Sequence, residues 1–353
     1  MDQTLATPPP PGTPHRARLH TLAQAHHLHL LGVADATAPL PQPARSHYIR
    51  WIGNGCHAGM GWLERNNERR LAPPAFFPAA RSILILGANY YQRPDATGYT
   101  LARYALGPDY HKLLLKRLKK LCAAMRDLGG QQRPSVDTAP VMEKVLAAQT
   151  TAGWQGKNTL LINPEHGPWL LLGTIFTTLP LPPDPPHPNR CGPCARCHHA
   201  CPTQALSPPA HLDARRCLAY LTIEHHGPIP TELRPAMGAR IFGCDTCIEV
   251  CPWARRATPT TDPGFTPRPL PAPLRDTLAW TQETFDTRFS GTPLKRLGLI
   301  RWQRNACVVL GNTGDATDLP ALKQFHAATH TTSPMLAEHA AWALARIHQR
   351  PAA

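Results

Sequence analysis

Eight of the eleven cysteines lie between residues 191 and 251, at spacings typical of iron–sulfur ligands. The stretch CGPCARCHHACP, residues 191–202, has the spacing C-x2-C-x2-C-x3-C-P. In this spacing three cysteines on a tight loop bind one four-iron cluster, and the fourth, before proline, binds another cluster. The stretch CDTCIEVCP, residues 244–252, supplies only three cysteines, and Cys217 is the remaining candidate nearby that completes a second set of four.

The two motifs therefore predict ligand sets that exchange their final cysteines. The first thiol set, for one [4Fe-4S] cluster, is Cys191, Cys194, Cys197 and Cys251, and the second thiol set, for the other, is Cys201, Cys217, Cys244 and Cys247. Zinc is the alternative, but its four-thiolate sites typically use two separated C-x2-C knuckles and need no third cysteine on the same loop. Two clusters indicate transfer of single electrons, so the rest of this 353-residue chain must hold an electron acceptor. The isolated cysteines Cys56, Cys122 and Cys307 are interpreted as small apolar residues.

The chain carries a strong positive charge. It has 37 Lys and Arg against 23 Asp and Glu, a formal net charge of +14, which favours polyanionic partners such as nucleic acid. A solubilising surface is the alternative explanation for charge alone. The N-terminal stretch has prolines where a secretory signal needs an apolar core, and the longest apolar runs are too short to cross a bilayer. We therefore expect a cytoplasmic protein with no membrane partner, whose clustered cysteines hold metal rather than form disulfides.

Two proline-rich stretches, 179–190 and 259–275, divide the chain and predict linkers or ordered irregular loops. Before the first stretch, the apolar run 81–91 predicts a buried strand, and the run 111–129 predicts an amphipathic helix that ends at Gly129. The apolar face of that helix consists of Leu114, Leu118, Leu121, Met125 and Leu128.

The remaining N-terminal patterns alternate between extended and helical. A short extended piece over 135–140, a helix over 141–152 and apolar strands in 159–163 and 169–178 predict an α/β region. After the second proline-rich stretch the pattern becomes all-helical, with small and apolar residues at helical spacing. It resembles a pair of HEAT-type repeats, with a helical cap without a binding role as the alternative.

Taken together, the motifs resemble those of the epoxyqueuosine reductases, cobalamin-dependent iron–sulfur enzymes that act on tRNA. The resemblance covers about residues 45–255 and is carried by YALGPDYHK (104–112), VDTAPVMEKVLA (136–147), AGWQGKNTLLIN (152–163), CGPCARCHHACPTQAL (191–206), CLAYLTIEHHGPIP (217–230) and GARIFGCDTCIEVCPW (238–253). It implies an α+β fold with a nitroreductase-like α/β cobalamin-binding domain, a ferredoxin-like two-cluster module and C-terminal HEAT-like helices. The expected division is a disordered tail over 1–15, the α/β domain over 16–180, the cluster domain over 181–258 and the helical, tRNA-contacting domain over 276–353.

The resemblance also implies a reaction, in which the epoxide of epoxyqueuosine at the tRNA wobble position is reduced to the alkene of queuosine. Two electrons and two protons are consumed and one oxygen leaves as water. The electrons are expected to come from an external one-electron donor such as flavodoxin or ferredoxin, and to pass through both clusters to cobalamin. Asp137 is implied as the proton donor, with a pKa expected to be raised by burial. Read without the family, this aspartate would be a turn residue or helix cap.

The sequence also bears on how the cofactor and the tRNA would be held. The D-x-H-x-x-G signature of a histidine ligand to cobalt is absent, because Asp109-Tyr-His111 is followed by Lys-Leu-Leu. The residues carried over as cobalamin neighbours are Asn158, Leu161, Leu172, Ala219, Thr222 and Asp245. The expected contacts to tRNA bases and phosphates are Glu224, His225, His226, Arg234, Arg240, Arg301 and Arg304. We expect a monomer.

Three rival functions are compatible with parts of the sequence. A reductive dehalogenase also joins cobalamin to two such clusters, but is expected to carry a twin-arginine export signal and no basic helical tail. A cobalamin-free protein that senses redox state on RNA would use the clusters without the corrinoid. A cobalamin-trafficking chaperone has no need of eight cluster ligands.

Overall fold

The computed structural model describes residues 14–93, 98–271 and 273–350. The α-helices in these ranges are α1 (Pro14–Ala25), α2 (Gln42–Gly53), α3 (Asn67–Leu71), α4 (Pro73–Phe76), α5 (Tyr110–Ala124), α6 (Glu143–Ala147), α7 (Arg196–Ala200), α8 (Leu218–Ile223), α9 (Arg234–Met237), α10 (Thr246–Glu249), α11 (Gln282–Arg288), α12 (Leu299–Thr313), α13 (Leu319–Thr329) and α14 (Pro334–His348). The strands are β1 (His29–Asp35), β2 (Ser82–Asn89), β3 (Thr100–Leu101), β4 (Gln132–Ser135), β5 (Trp154–Gln155), β6 (Leu161–Ile162), β7 (Leu170–Thr177), β8 (Leu206–Ser207), β9 (His211–Leu212) and β10 (Arg240–Phe242). None of the described helices is long and apolar enough to cross a membrane. The predicted tail 1–15 lies outside the described residues except for its last two, which are helical.

A four-stranded antiparallel sheet, in the order β1-β2-β7-β4, forms the centre of the N-terminal region. Seven of the eight residues of β2 are buried, as expected for a strand covered on both faces. One face packs against α1 and α5, through side chains that include Leu19, Leu114 and Leu118. The other face packs against α4 and α6, through Phe76 and Leu146. Helices on both faces of this sheet, followed by a helical region, confirm the predicted α+β class.

Helix α5 confirms the amphipathic helix predicted over 111–129. The Asp109 side chain accepts a hydrogen bond from the backbone N–H of His111 and caps the first turn. Gly129 follows the helix with φ of 81°, in the left-handed region that glycine enters without a Cβ clash.

The helix predicted over 141–152 is shorter than expected. It spans only α6, because Thr150 redirects the chain. Its hydroxyl donates to the carbonyl of Ala147 and accepts from the N–H of Ala152, which competes with helical bonds. The strand predicted in 159–163 is also short and pairs as β6 with β5 in a small hairpin.

The C-terminal region confirms the predicted helices, and it shares a core with earlier parts of the chain. Helices α12 and α14 pack together, with α13 beside α14. Their core around Trp302 includes Leu101 from β3 and Phe242 from β10, two strands that pair in parallel. The helical region therefore packs directly against the segment that leads into Cys244.

The proline-rich stretches are ordered irregular loops. In the first, the carboxylate of Asp184 accepts hydrogen bonds from the Arg16 guanidinium at 2.5 and 2.8 Å and from the backbone N–H of Val33 at 2.8 Å. In the second, the carboxylate of Asp262 binds the guanidinium of Arg117 on α5, at 2.5 and 2.7 Å. Both stretches are thus tied to the N-terminal region.

Candidate active site and cluster sites

The eight predicted ligands line two separate cavities, one thiol set to each. The small cavity, of about 180 Å³, is lined by Cys191, Cys194, Cys197 and Cys251, and by polar and aromatic neighbours that include Lys157 and Trp253. The central cavity, of about 400 Å³, is lined by Cys201, Cys217, Cys244 and Cys247. Each cavity is thus lined by the four cysteines of one predicted set, and the assignment of these sets to clusters stays a prediction.

The chain holds the first thiol set by bonds from the β5–β6 hairpin. The Trp154 indole N–H donates to the Sγ of Cys191 at 3.4 Å. The Lys157 ammonium donates to the carbonyls of Gly192 and Cys194, at 2.7 and 2.9 Å. Burial raises the pKa of the Cys197 thiol.

The second thiol set is fixed by backbone and hydroxyl groups. The backbone N–H of Ala205 donates to the Sγ of Cys201 at 3.2 Å. Cys217 immediately precedes α8, and Cys244 follows the turn at Gly243, whose φ is 74°. A Cβ at position 243 would approach the Ala102 Cβ to 2.5 Å, so only glycine fits this turn.

Much of the remaining lining of the central cavity is apolar. It is formed by leucines of β6 and β7 and by α8, through Leu160, Leu161, Leu170, Leu171, Leu172, Leu218, Ala219 and Ile223. Polar groups lie at its edge: the Asn158 amide donates to the carbonyl of Cys247 at 3.2 Å, and the Asp245 carboxylate accepts from the backbone N–H of Arg103 at 2.7 Å. Five of the six predicted cofactor neighbours, Asn158, Leu161, Leu172, Ala219 and Asp245, therefore line one cavity.

Thr222, the sixth, does not line that cavity, which corrects its expected role as a cofactor contact. Its side chain is fully buried. The hydroxyl donates to the carbonyl of Leu218 at 2.7 Å and accepts from the N–H of Gly243 at 2.9 Å. Thr222 thus joins α8, which follows Cys217, to the turn that precedes Cys244.

Asp137 also lines the central cavity, and it belongs to a hydrogen-bonding network that the sequence did not predict. Its Oδ2 accepts from the Tyr110 hydroxyl at 2.8 Å and lies 2.8 Å from Nε2 of His111. The Nδ1 of His111 lies 2.8 Å from Oδ1 of Asp109. The imidazole therefore bridges two carboxyl groups. Asp137 itself has a φ of 31°, an uncommon value for a residue with a Cβ.

The electrostatics of Asp137 differ from the expectation. Burial raises its pKa, but the hydrogen bonds from His111 and Tyr110 outweigh burial and hold the pKa below its usual value. The side chain keeps 57% of its surface accessible, since it faces open cavity. The sequence predicts that burial dominates the pKa of Asp137, and the structure corrects that prediction. In this arrangement Asp137 is a carboxylate near neutral pH.

Two acids that line the central cavity have a raised pKa, Asp245 and Glu143, and the shift is larger for Glu143. Burial, reinforced by the charge of Asp137, raises the pKa of Glu143 to about 8. Its Oε1 is buried and has no hydrogen-bond partner among the described residues. Glu143 and its neighbour Lys144 both line the central cavity.

A third, outer cavity of about 470 Å³ adjoins the central one. The two share Asp137, Glu143, Lys144, Thr159 and Leu212. Aromatic and basic side chains line the rest of the outer cavity, among them Tyr48, Trp51, Trp62, His47 and Arg70. Asp137 therefore lies between a space lined by thiols and a space lined by aromatic rings.

The arginines predicted to contact phosphate are occupied within the protein, which corrects that expectation. Arg304 is fully buried and donates to the carbonyls of Leu221, His225 and Gly227. Arg234 is buried and pairs with Glu338 at 2.7 Å. Arg301 and Arg240 likewise bond to neighbouring protein groups. Carbonyls at the end of α8 and in the turn after it, which sequence patterns do not reveal, hold Arg301 and Arg304.

Comparison with known proteins supports the same enzyme class. Residues 190–254 match the family model described as a 4Fe-4S double cluster binding domain, and residues 70–138 match the model described as Epoxyqueuosine reductase QueG, DUF1730. The chain is 39% identical over 359 residues to an epoxyqueuosine reductase of Xanthomonas campestris pv. campestris, covering 98% of this chain and 99% of that protein. It is 42% identical over 333 residues to one of Escherichia coli K12, covering 91% and 86%. This chain belongs to the epoxyqueuosine reductase family.

Solved structures of epoxyqueuosine reductases share this fold. A crystal structure with an epoxyqueuosine-modified tRNA-Tyr stem loop superposes with a TM-score of 0.85 at 29% identity, covering 94% of this chain and 90% of that one. A Bacillus subtilis epoxyqueuosine reductase, whose catalytic loop with an aspartate is swung out of the active site, superposes with a TM-score of 0.84 at 28% identity and the same coverage. The family and the oxidoreductase class predicted from the motifs are confirmed.

Proposed function

We propose that this chain reduces epoxyqueuosine to queuosine at the wobble position of tRNA. One observation carries the proposal: four cysteine thiols and the side chains of Asp137, Glu143 and Lys144 line a single cavity. An epoxide reduction needs electrons and protons at the same carbon–oxygen centre. The central cavity brings an electron supply and a proton supply to one space.

The residues present fit the two groups that the family implies. The four thiols of each set line one cavity, and four thiolates are the ligands that a [4Fe-4S] cluster takes. The leucines of the central cavity suit the apolar face of a corrin, and Asn158, Thr159 and Asp245 in the same lining suit the polar groups around that ring. None of the described residues that line the central cavity is a histidine, in keeping with cobalamin held without an imidazole ligand. When bound, cobalamin would supply a low-valent metal able to pass electrons to carbon.

The chain's own contribution to the chemistry is the proton. When the epoxide C–O bond breaks, the oxygen that leaves the ring carbon needs a proton, which we assign to the Oδ2 of Asp137. Because the structure holds Asp137 as a carboxylate, that proton has to reach it first, and the His111 Nε2 at 2.8 Å is placed to deliver it. A second proton releases the oxygen as water. We assign this second proton to Glu143, which lines the same cavity and whose pKa is raised to about 8.

The outer cavity supports the tRNA part of the proposal. Chemistry on a base within an anticodon loop requires that the nucleotide be splayed out, and flipped bases stack on aromatic rings. Tyr48, Trp51 and Trp62 supply such rings on the side of Asp137 away from the thiols. The modified tRNA stem loop bound by a relative supports this substrate class for our chain.

Movement of the Asp137 loop is part of the same proposal. Asp137 follows β4 with a φ of 31°, a strained conformation that is held by its bonds to Tyr110 and His111. The relative whose aspartate-bearing loop is swung out supports the same freedom here. We propose that the loop closes when substrate is bound.

The finer assignments of the sequence remain proposals. These are a nitroreductase-like domain over 16–180, a ferredoxin-like module over 181–258, HEAT-like helices over 276–353 that contact tRNA, an external donor such as flavodoxin or ferredoxin, a cytoplasmic location and a monomeric state. An assay for conversion of the nucleoside also separates two rival functions, because a redox sensor would bind RNA, and a chaperone would bind cobalamin, without converting the nucleoside.

The proposal is tested by anaerobic incubation of the cluster-loaded protein with epoxyqueuosine-containing tRNA, with and without added cobalamin, followed by nucleoside mass spectrometry. Conversion to queuosine that requires cobalamin is expected. Conversion without cobalamin would support epoxyqueuosine as the substrate and refute cobalamin as the required cofactor. An intact, cluster-loaded protein that converts nothing under either condition would refute the proposed function.

A further inference from the structure

Four exposed arginines surround the small cavity, and we call them the basic rim: Arg190, Arg196, Arg255 and Arg256. Arg190 and Arg196 line the cavity directly. The other two follow Cys251, Pro252 and Trp253, which also line it. The rim therefore surrounds the place where the first thiol set lies.

The segments that carry the rim contain no acidic residue of their own, and Glu165 follows Pro164, whose carbonyl accepts a hydrogen bond from Arg256 at 3.3 Å. Residues 185–212 and 250–261 contain no Asp or Glu. Within the ranges that the structure describes, Arg190, Arg196 and Arg255 form no ion pair, and the nearby Glu249 pairs with Arg103. Exposed arginines of one sign around a concave site create a field that attracts a complementary, acidic surface.

An aromatic pair connects the rim to the first thiol set. The Arg256 guanidinium lies over the Trp253 ring, 4.6 Å from its centroid. Trp253 packs edge-to-face on Trp154 with centroids 4.9 Å apart, and the Trp154 indole N–H contacts the Sγ of Cys191 at 3.4 Å. Two tryptophan rings thus lie between Arg256 of the rim and the Cys191 thiol.

We propose that the basic rim is the docking surface for an acidic electron-donor protein. In each encounter the donor would lose one electron and the cluster held by the first thiol set would gain it, so two encounters supply the two electrons of one turnover. This inference rests on the proposed function, in which electrons enter from outside. Charge alone would suit RNA as well, but position favours the donor, because Asp137 lies in the central cavity with the second thiol set and does not line the small cavity.

The experiment measures how fast reduced flavodoxin, an acidic one-electron donor, reduces the oxidised clusters of the full-length, cluster-loaded protein. Absorbance is followed by anaerobic stopped flow without RNA, and each rate is divided by the rate with dithionite, which needs no docking surface. The variant Arg196→Glu/Arg255→Glu is compared with Arg81→Glu/Arg288→Glu, which reverses two exposed arginines outside the rim and carries the same change in net charge.

At low salt the ratio is expected to fall about tenfold or more in the rim variant and to stay unchanged in the control. Added salt should slow the wild-type protein toward the variant, since screening removes the attraction. An unchanged ratio in the rim variant would overturn the proposal. If the rim variant also bound a modified tRNA stem loop more weakly than the wild type, the rim would be assigned to RNA binding instead. Because the assay contains no tRNA, its outcome is independent of whether epoxyqueuosine is the substrate.

Discussion

The Nε2 of His111 and the Oδ2 of Asp137 lie 2.8 Å apart, although 26 residues separate them in the chain. The Nδ1 of the same ring lies 2.8 Å from the Asp109 carboxylate, inside the first turn of α5. The imidazole of His111 thus connects the carboxyl group of the proposed acid to a second carboxyl group through two short contacts.

Replacement of Tyr110 by phenylalanine tests how the Tyr110 hydroxyl affects the pKa of Asp137. The Tyr110 hydroxyl donates to Asp137, and this bond lowers the pKa of that carboxyl. Tyr110→Phe therefore raises the pKa of Asp137 and keeps it protonated to higher pH. The pH profile of the single-turnover rate is expected to shift its alkaline limb upward. Tyr104→Phe is the matched control, because Tyr104 also lines the cavity but has no hydrogen bond to Asp137. A profile that stays in place in Tyr110→Phe would remove Asp137 from the rate-determining proton transfer.

The raised pKa of Glu143 predicts that the free energy of unfolding depends on pH. Burial raises its pKa from 4.5 to about 8, so between these values the folded protein binds a proton that the unfolded chain has lost. Stability contributed by this group is therefore complete at low pH and is lost as pH rises through this window. Between about pH 5 and pH 8, Glu143→Gln is expected to lose less free energy of unfolding than the wild type. Thermal and chemical unfolding measure this, with exposed Glu232→Gln as the control that should follow the wild type.

Pairs of cysteine substitutions test the crossed ligand sets. Cys194→Ala/Cys251→Ala removes two thiols of the first set, so one cluster and about half of the iron are expected to remain. Cys201→Ala/Cys251→Ala deletes the same number of thiols, but it removes one from each set and should therefore damage both clusters. Iron and sulfide analysis with electron paramagnetic resonance distinguishes the outcomes. If Cys194→Ala/Cys251→Ala damaged both clusters, the exchange of Cys201 and Cys251 between the motifs would be wrong, because sets without the exchange place Cys194 and Cys251 on different clusters.

Asn305 on α12 is predicted to position the second cluster. Its amide donates to the carbonyls of Thr222 and Ile241 at 2.8 and 2.9 Å, which lie on the segments that carry Cys217 and Cys244. Asn305→Ala leaves both buried carbonyls without this donor and should lower the free energy of unfolding by about 1–3 kcal/mol. It should also change the spectrum or potential of the second cluster only. Asn312→Ala removes comparable bonds from the same helix to Arg234 and Gly238, and should leave both clusters unchanged.

The sequence predicted the parts of the site that depend on local spacing. The cysteine sets follow from loop motifs, and Cys217 follows from the count of ligands that a second cluster needs. The Asp109–His111–Asp137 network could not be predicted, since it arises where α5 meets the loop after β4. Arg234 and Arg304 were misassigned because residue type suggests a surface, whereas buried carbonyls and Glu338 engage them. The low pKa of Asp137 depends on those same long-range bonds.

The central claim is that electrons from the clusters and a proton from Asp137 reach the substrate in the same cavity. The most direct measurement is a single turnover of epoxyqueuosine-containing tRNA by cobalamin-supplied protein whose clusters have been reduced with dithionite, comparing the wild type with Asp137→Ala. We predict that the variant loads and reduces its clusters like the wild type, but forms queuosine about 10²–10⁴ times more slowly. Formation of queuosine at the wild-type rate by Asp137→Ala would contradict the account.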